Sequence, residues 1–173
     1  VDLYSTPDGG QNWFMSAPPW FEYIVHADKH DMVYLGNNDI LLATDGGLYR
    51  TTNSGNTWED VDRIPNTQFY RVATNPNDVT EILGGAQDNG TNSNSSMFDP
   101  VEWTRIFGGD GFQPIVDPLN PFIYYCTVQN GRFYYFDTDF FETILMDQGY
   151  PEDERVNWDA PIRMDHFDNQ TLY

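Results

Sequence analysis

An eight-residue polar turn that occurs twice constrains this chain more than any other feature. Thr51-Thr52-Asn53-Ser54-Gly55-Asn56-Thr57-Trp58 repeats Thr6-Pro7-Asp8-Gly9-Gly10-Gln11-Asn12-Trp13 at an offset of 45 residues. Both copies carry a hydroxyl, an Asp or Asn, a Gly and a Trp at relative positions 1, 3, 5 and 8. The Asp or Asn oxygen can accept backbone N–H groups inside the turn, the Gly takes a conformation costly for other residues, and the Trp offers an apolar anchor to the following strand. Thr6, Asp8, Gly10, Trp13, Thr51, Asn53, Gly55 and Trp58 are therefore assigned structural roles. A repeat of this period implies one supersecondary unit stacked against copies of itself.

With the turns as a ruler, residues 3–5 and 13–15 read as the two strands around the first turn, ended by Ala17-Pro18-Pro19. Residues 21–25 read as the first strand of a whole unit, 26–31 as a polar hairpin, 32–35 and 40–43 as apolar strand, Asp45-Gly46-Gly47 as a turn, and 48–50 as the strand entering the second eight-residue turn. The next unit keeps that order: strand 69–74, hairpin 75–78, strand 81–84, turn Gln87-Asp88-Asn89-Gly90, and a last strand with Trp103, again 45 residues after Trp58. Its eight-residue turn has decayed, with Phe98 and Pro100 where Asp8 and Gly10 stand in the first copy. A further unit runs through hairpin 117–121, strand 123–128, turn 129–131 and strands 132–136 and 141–146. After an irregular insert, 147–157, strand 160–164, hairpin 165–169 and Leu172-Tyr173 begin another.

No stretch keeps a 3.6-residue period, so the chain is read as all-β. Four-stranded sheets arrayed around an axis make a β-propeller. The expectation is a single propeller segment of four-stranded antiparallel blades at 20–61, 67–107 and 111–146, flanked by the end of one blade, 1–16, and the start of another, 158–173. Because Val1 falls inside a sheet pattern, the chain reads as a piece of a longer protein, its ring completed by the remaining blades of a parent chain or by a second copy.

Composition narrows the partners. The 173 residues are 39% hydrophobic and 16% aromatic, enough for a core, and 27 acidic against 8 basic residues leave a net charge of -19. Lys29 is the only lysine. Phosphate recognition needs a basic surface, so nucleic acid is disfavoured, as are anionic membranes. No apolar run of membrane-spanning length is present, so no membrane insertion is expected. Cys126 is alone, which excludes an intrachain disulfide.

The turns at 6–13 and 51–58 resemble the Asp-box, or BNR, repeat of sialidases, sortilin-type propellers and xyloglucan-cleaving glycosidases, with Asn53 departing from the usual Asp. Residues 45–50, 84–91 and 108–111 are similar to secreted bacterial BNR-like propeller proteins, often of marine Bacteroidetes type. The resemblance implies a β-propeller that is extracellular or on the cell surface. The arginine triad of the sialidases is not assigned here, since Arg71, Arg105, Arg132 and Arg163 lie on strands in unrelated contexts, Arg50 follows a Gly-rich turn, and Arg63 and Arg155 lie in loops.

If each blade's first strand is innermost and runs away from the top face, interblade loops and Gly-rich turns lie on top and Asp-boxes on the bottom. Asp45, Asp88, Asn89, Asp110, Gln129 and Asn130 then rim the top, with Gln68, Phe69, Phe112 and Trp158 near the channel mouth. Acidic, amide and aromatic groups together can grip sugars, although Asp-Gly and Asn-Gly also serve plain turns. Asp88 and Asp110 are the best pair for a glycosidase, which needs two carboxylates at a defined separation. No metal or other cofactor is expected. His26, His30 and His166 fall in hairpins rather than at helical zinc spacing, and Asp137-Thr138-Asp139 lacks the further ligands of a calcium loop. The expected function is a secreted module that binds carbohydrate or protein on its top face without chemistry. The alternative is a glycoside hydrolase acting on a β-glucan-like polysaccharide through Asp88 and Asp110.

Overall fold

A computed structural model describes residues 2–17, 25–61, 64–140, 142–146, 148–151 and 153–173. Among them there is no helix, and fourteen strands run through the chain. Two compact units divide it, Val1–Asn66 and Thr67–Tyr173. Every sheet is antiparallel, and the three larger ones are four-stranded meanders, the blade unit of a β-propeller.

The first unit holds a two-stranded sheet, β1 (Leu3–Ser5) and β2 (Phe14–Ala17), and a blade of β3 (Lys29–Gly36), β4 (Asp39–Thr44), β5 (Gly47–Thr51) and β6 (Glu59–Asp60). The two eight-residue turns close β1 to β2 and β5 to β6 with the same hydrogen bonds. Thr6 Oγ1 accepts the Gly10 N–H at 2.8 Å, and Thr51 Oγ1 accepts that of Gly55 at 2.9 Å. Asp8 Oδ1 and Asn53 Oδ1 each accept the N–H four residues on, from Asn12 and Thr57, at 2.9 Å. Asn53 therefore caps the turn as Asp8 does through Oδ1, while the second atom reverses its role: Asp8 Oδ2 accepts from Asn12 Nδ2 at 2.6 Å and Asn53 Nδ2 donates to Thr57 Oγ1 at 2.8 Å. Gly55 is at φ 86° and a side chain there would collide with Ser16 Oγ.

The two tryptophans diverge. Trp58 is 7% exposed in a core with Ala17, Val25, Leu42 and Tyr49, and its Nε1 donates to the Ser16 carbonyl at 3.0 Å. Trp13, expected as the matching anchor, is 61% exposed. The first strand of this blade also differs from expectation. Residues 21–24 lie outside the described residues, Val25 is not in a strand, and β3 begins at Lys29 inside the expected polar hairpin. The hairpin is instead at Asn37 and Asn38, with φ of 50° and 68°. Two adjacent left-handed asparagines suit a tight two-residue turn that matches strand twist.

The second unit contains blades β7 (Arg71–Asn75), β8 (Asp78–Ala86), β9 (Gly90–Ser93), β10 (Thr104–Phe107) and β11 (Pro114–Val116), β12 (Ile123–Val128), β13 (Arg132–Asp137), β14 (Glu142–Leu145). The first strands β7 and β11 lie side by side. Expected strands 160–164 and 172–173 reduce to one bridge, Met164 to Leu172, flanked by reciprocal backbone bonds between Arg163 and Tyr173. Residues 141 and 147, within the expected last strand and insert, lie outside the described residues.

A doubled side-chain turn repeats in this unit. Asn75, Asp117 and Asp165 each accept through Oδ1 the N–H two residues on, at 2.8, 2.7 and 2.7 Å. Three residues later Asp78, Asn120 and Asp168 do the same, at 3.0, 3.1 and 2.9 Å. Much of the acidity is thus spent inside the backbone. Backbone or side-chain donors at Thr80, Val101 and Gln170 hold Asp78, Asp99 and Asp168 below the usual carboxylate range.

The core between the two blades combines Leu83, Val116 and Tyr124 with a buried carboxylate. Glu81 accepts from Asn75 Nδ2 at 2.7 Å and from the Tyr124 hydroxyl at 3.0 Å, so its burial is compensated. Backbones touch at the blade boundary, where a side chain on Gly85 would strike the Phe112 carbonyl and one on Gly111 the Gly90 carbonyl.

Candidate functional site

The turns between second and third strands and the loops between blades meet at one end of the second unit, tied in sequence order. Asp110 Oδ1 accepts the backbone N–H of Asp88 at 2.9 Å, and Gln129 Oε1 accepts the N–H of Asp110 at 3.0 Å. Gly111 donates to the Ala86 carbonyl at 3.0 Å, and Asn130 to that of Trp158 at 3.1 Å. Asp88 and Asn130 occupy equivalent left-handed positions, φ 63° and 62°, each just before a glycine-assisted reversal.

Asp88, Asn89, Asp110, Gln129, Asn130 and Trp158 are therefore brought to one rim. The Asp110 carboxylate meets the Asp88 backbone there, a contact that shapes the turn. Asn89 Nδ2 bonds the Gln87 carbonyl at 3.1 Å. Asp45 belongs to the first unit, on the turn between β4 and β5, where it pairs with His30 Nε2. Gln68 is exposed at the entrance to β7.

The aromatic expectations are redistributed. Phe112, placed at a channel mouth by sequence, is fully buried and cannot contact a ligand. Phe69 lies over Gly84 and against Trp103, with ring centroids 5.4 Å apart. Trp158 and Tyr70 are exposed, with their rings 6.1 Å apart and nearly perpendicular. Both rest edge-on against Phe112, at 4.7 and 5.4 Å, which fixes their attitude from beneath.

Polar groups surround these two rings. The Tyr70 hydroxyl donates to Gln87 Oε1 at 2.9 Å, and Arg71 Nη2 bonds Asp159 Oδ2 at 2.7 Å. The other Asp159 oxygen is buried without a hydrogen-bond partner among the described residues. Tyr70, Arg71, Gln87 and Asp159 were missed by sequence reasoning. Side chains alternate along an extended segment, so choosing Phe69 rather than Tyr70 reverses the face presented. Among the described residues of this unit alone, no three His, Cys, Asp or Glu side chains converge on a metal-sized site.

Two exposed rings, one with its hydroxyl on the Gln87 amide and both followed in sequence by a member of the Arg71–Asp159 ion pair, can stack on apolar ring faces and exchange hydrogen bonds with hydroxyls.

No family model matches the chain, and no curated protein matches it. Among solved structures it is similar to an ancestral GH74 enzyme, with 16% identity and a TM-score of 0.40 over 86% of this chain and 22% of that one. It is also similar to YCF48 bound to a D1 peptide, with 18% identity and a TM-score of 0.33 over 79% of this chain and 44% of that one. The chain spans less than half the length of either protein.

Proposed function

We propose that this chain is part of a secreted or cell-surface β-propeller that binds carbohydrate on its top face and performs no chemistry there. The observation that carries the reading is the pair of exposed rings, Tyr70 and Trp158, propped on buried Phe112 and edged by Gln87, Arg71 and Asp159. The non-catalytic part is supported by the turn-shaping role of Asp110, whose Oδ1 takes the Asp88 N–H while Gln129 Oε1 takes the Asp110 N–H. In the same reading the turns at 6–13 and 51–58 are Asp-boxes that serve the blades and not the ligand.

Affinity electrophoresis in soluble β-glucans and xyloglucan, on the full chain, tests this. Retardation should be lost in Tyr70→Ala and Trp158→Ala and kept in Asp110→Asn, whose amide oxygen can still accept the Asp88 N–H. Reducing-sugar release that Asp88→Asn and Asp110→Asn abolish would replace the proposal with the glycoside hydrolase reading. Absence of retardation by any glycan, in folded protein, would remove the carbohydrate assignment.

A further inference from the structure

The end of the second unit opposite the aromatic rim has its own composition. In a meander the first and third reversals fall at one end and the second at the other. Segments 76–80, 94–103, 117–122, 137–142 and 165–171 therefore share a face. Hydrogen bonds join them directly. Thr138 N and Oγ1 both donate to the Phe122 carbonyl at 3.0 Å. Asn77 Nδ2 reaches the Asp117 carbonyl at 3.1 Å, and Asn169 Nδ2 the Asp117 carboxylate at 2.9 and 3.1 Å.

Apolar side chains project from these tied loops. Leu119 is 77%, Phe140 79% and Phe167 94% exposed, accompanied by Val79, Val101 and Phe122. Leu119 and Phe167 occupy the same place in the doubled turn, two residues after Asp117 and Asp165. The same five segments contain nine carboxylates, of which Asp117 and Asp137 are buried, and neither lysine nor arginine. Large apolar groups standing out of an otherwise one-signed surface mark an interaction site. An anionic lipid surface would be repelled by these carboxylates, whereas a cationic partner would be drawn to them.

We propose that this face docks a basic protein segment that presents apolar side chains between its lysines and arginines. The apolar tips supply contact area, and the exposed carboxylates supply charge complementarity and orientation. The site is independent of the aromatic rim and of any sugar bound there.

The test uses the full chain and a synthetic amphipathic peptide of Lys and Leu, with a Glu and Leu peptide of the same apolar pattern as counterpart. Titration calorimetry should show binding of the cationic peptide, weakened by salt. Binding should fall at least about tenfold in Leu119→Ser/Phe140→Ser/Phe167→Ser, a change that leaves net charge untouched. Phe167→Ser alone, at a nearly fully exposed position, gives a smaller loss in the same direction. Equal affinity of the wild type and the triple variant would overturn the proposal, since the peptide would then sense only bulk charge. Equal binding of the Glu and Leu peptide, recruitment to phosphatidylcholine vesicles that the triple variant loses, or self-association that the triple variant loses would overturn it as well.

Discussion

Replacing Tyr124 by Phe removes one hydroxyl from a fully enclosed position and changes little else. That hydroxyl donates to Glu81 at 3.0 Å, and burial together with the neighbouring carboxylate holds its pKa far above the usual phenol range, so it stays a donor at every working pH. Without it, Glu81 keeps the Asn75 amide at 2.7 Å and a long contact from Ser93 at 3.4 Å. A hydrogen bond to a charged group contributes about 1.5–3 kcal/mol, and Phe fills the same ring volume, so the expected loss is about 2 kcal/mol. That is about thirtyfold in the folding equilibrium. Urea unfolding followed by near-UV circular dichroism should show a lower midpoint at constant slope. In a Glu81→Gln background the same replacement should cost about 1 kcal/mol or less, because the acceptor is neutral. A loss below about 0.5 kcal/mol in the wild-type background would refute the reasoning, since Glu81 would then be satisfied without Tyr124.

Trp58→Ala should destabilise the first unit by about 3–5 kcal/mol, whereas Trp13→Ala should change it by no more than about 0.5 kcal/mol. Comparable effects in thermal unfolding would contradict the different burial of the two turns. Cys126 is fully enclosed, with its thiol pushed up to about 12 by burial, so a thiol reagent should label it only in denaturant. Labelling of the native protein at neutral pH would show that β12 opens. Asp8, Asp78, Asp99 and Asp168 have pKa values lowered in the fold, chiefly by hydrogen bonds from Asn12, Thr80, Val101 and Gln170. Depressed values mean the stabilisation is complete above the unfolded carboxylate pKa of about 3.9 and is lost as pH falls below it. The urea midpoint should therefore drop on acidification from pH 5 to pH 3, and a rise would contradict the turn assignments.

Hairpins 75–78 and 117–121 and both eight-residue turns were legible from sequence because their chemistry is local: a side-chain oxygen caps backbone donors a few residues away. The hairpin at Asn37 and Asn38 is equally local, but the polar run 26–31 ahead of Met32 carries turn-forming residues of the same kind. What sequence could not supply is what lies against each side chain. Trp13 and Trp58 occupy the same turn position, yet only Trp58 has Ala17, Val25 and Leu42 to pack upon. Phe112 looked like a ligand contact and is a prop, since Gly85 lets its backbone approach and Trp158 covers its ring. Asp88 and Asp110 lie on adjacent loops joined by one backbone-to-carboxylate bond. Which atom of each faces the other depended on the left-handed backbone of Asp88, a property no residue count reveals.

The bonds from Asp88 to Asp110 and from Asp110 to Gln129 run in one direction along the chain. Each rim turn inherits its position from the loop that follows it, hand over hand. Grafting a foreign loop at 87–90 alone would shift the backbone N–H that the Asp110 carboxylate accepts, and replacing 108–112 alone would release two turns at once. Engineering a new specificity on this rim therefore means exchanging neighbouring loops as pairs, with the blade boundary between them kept intact.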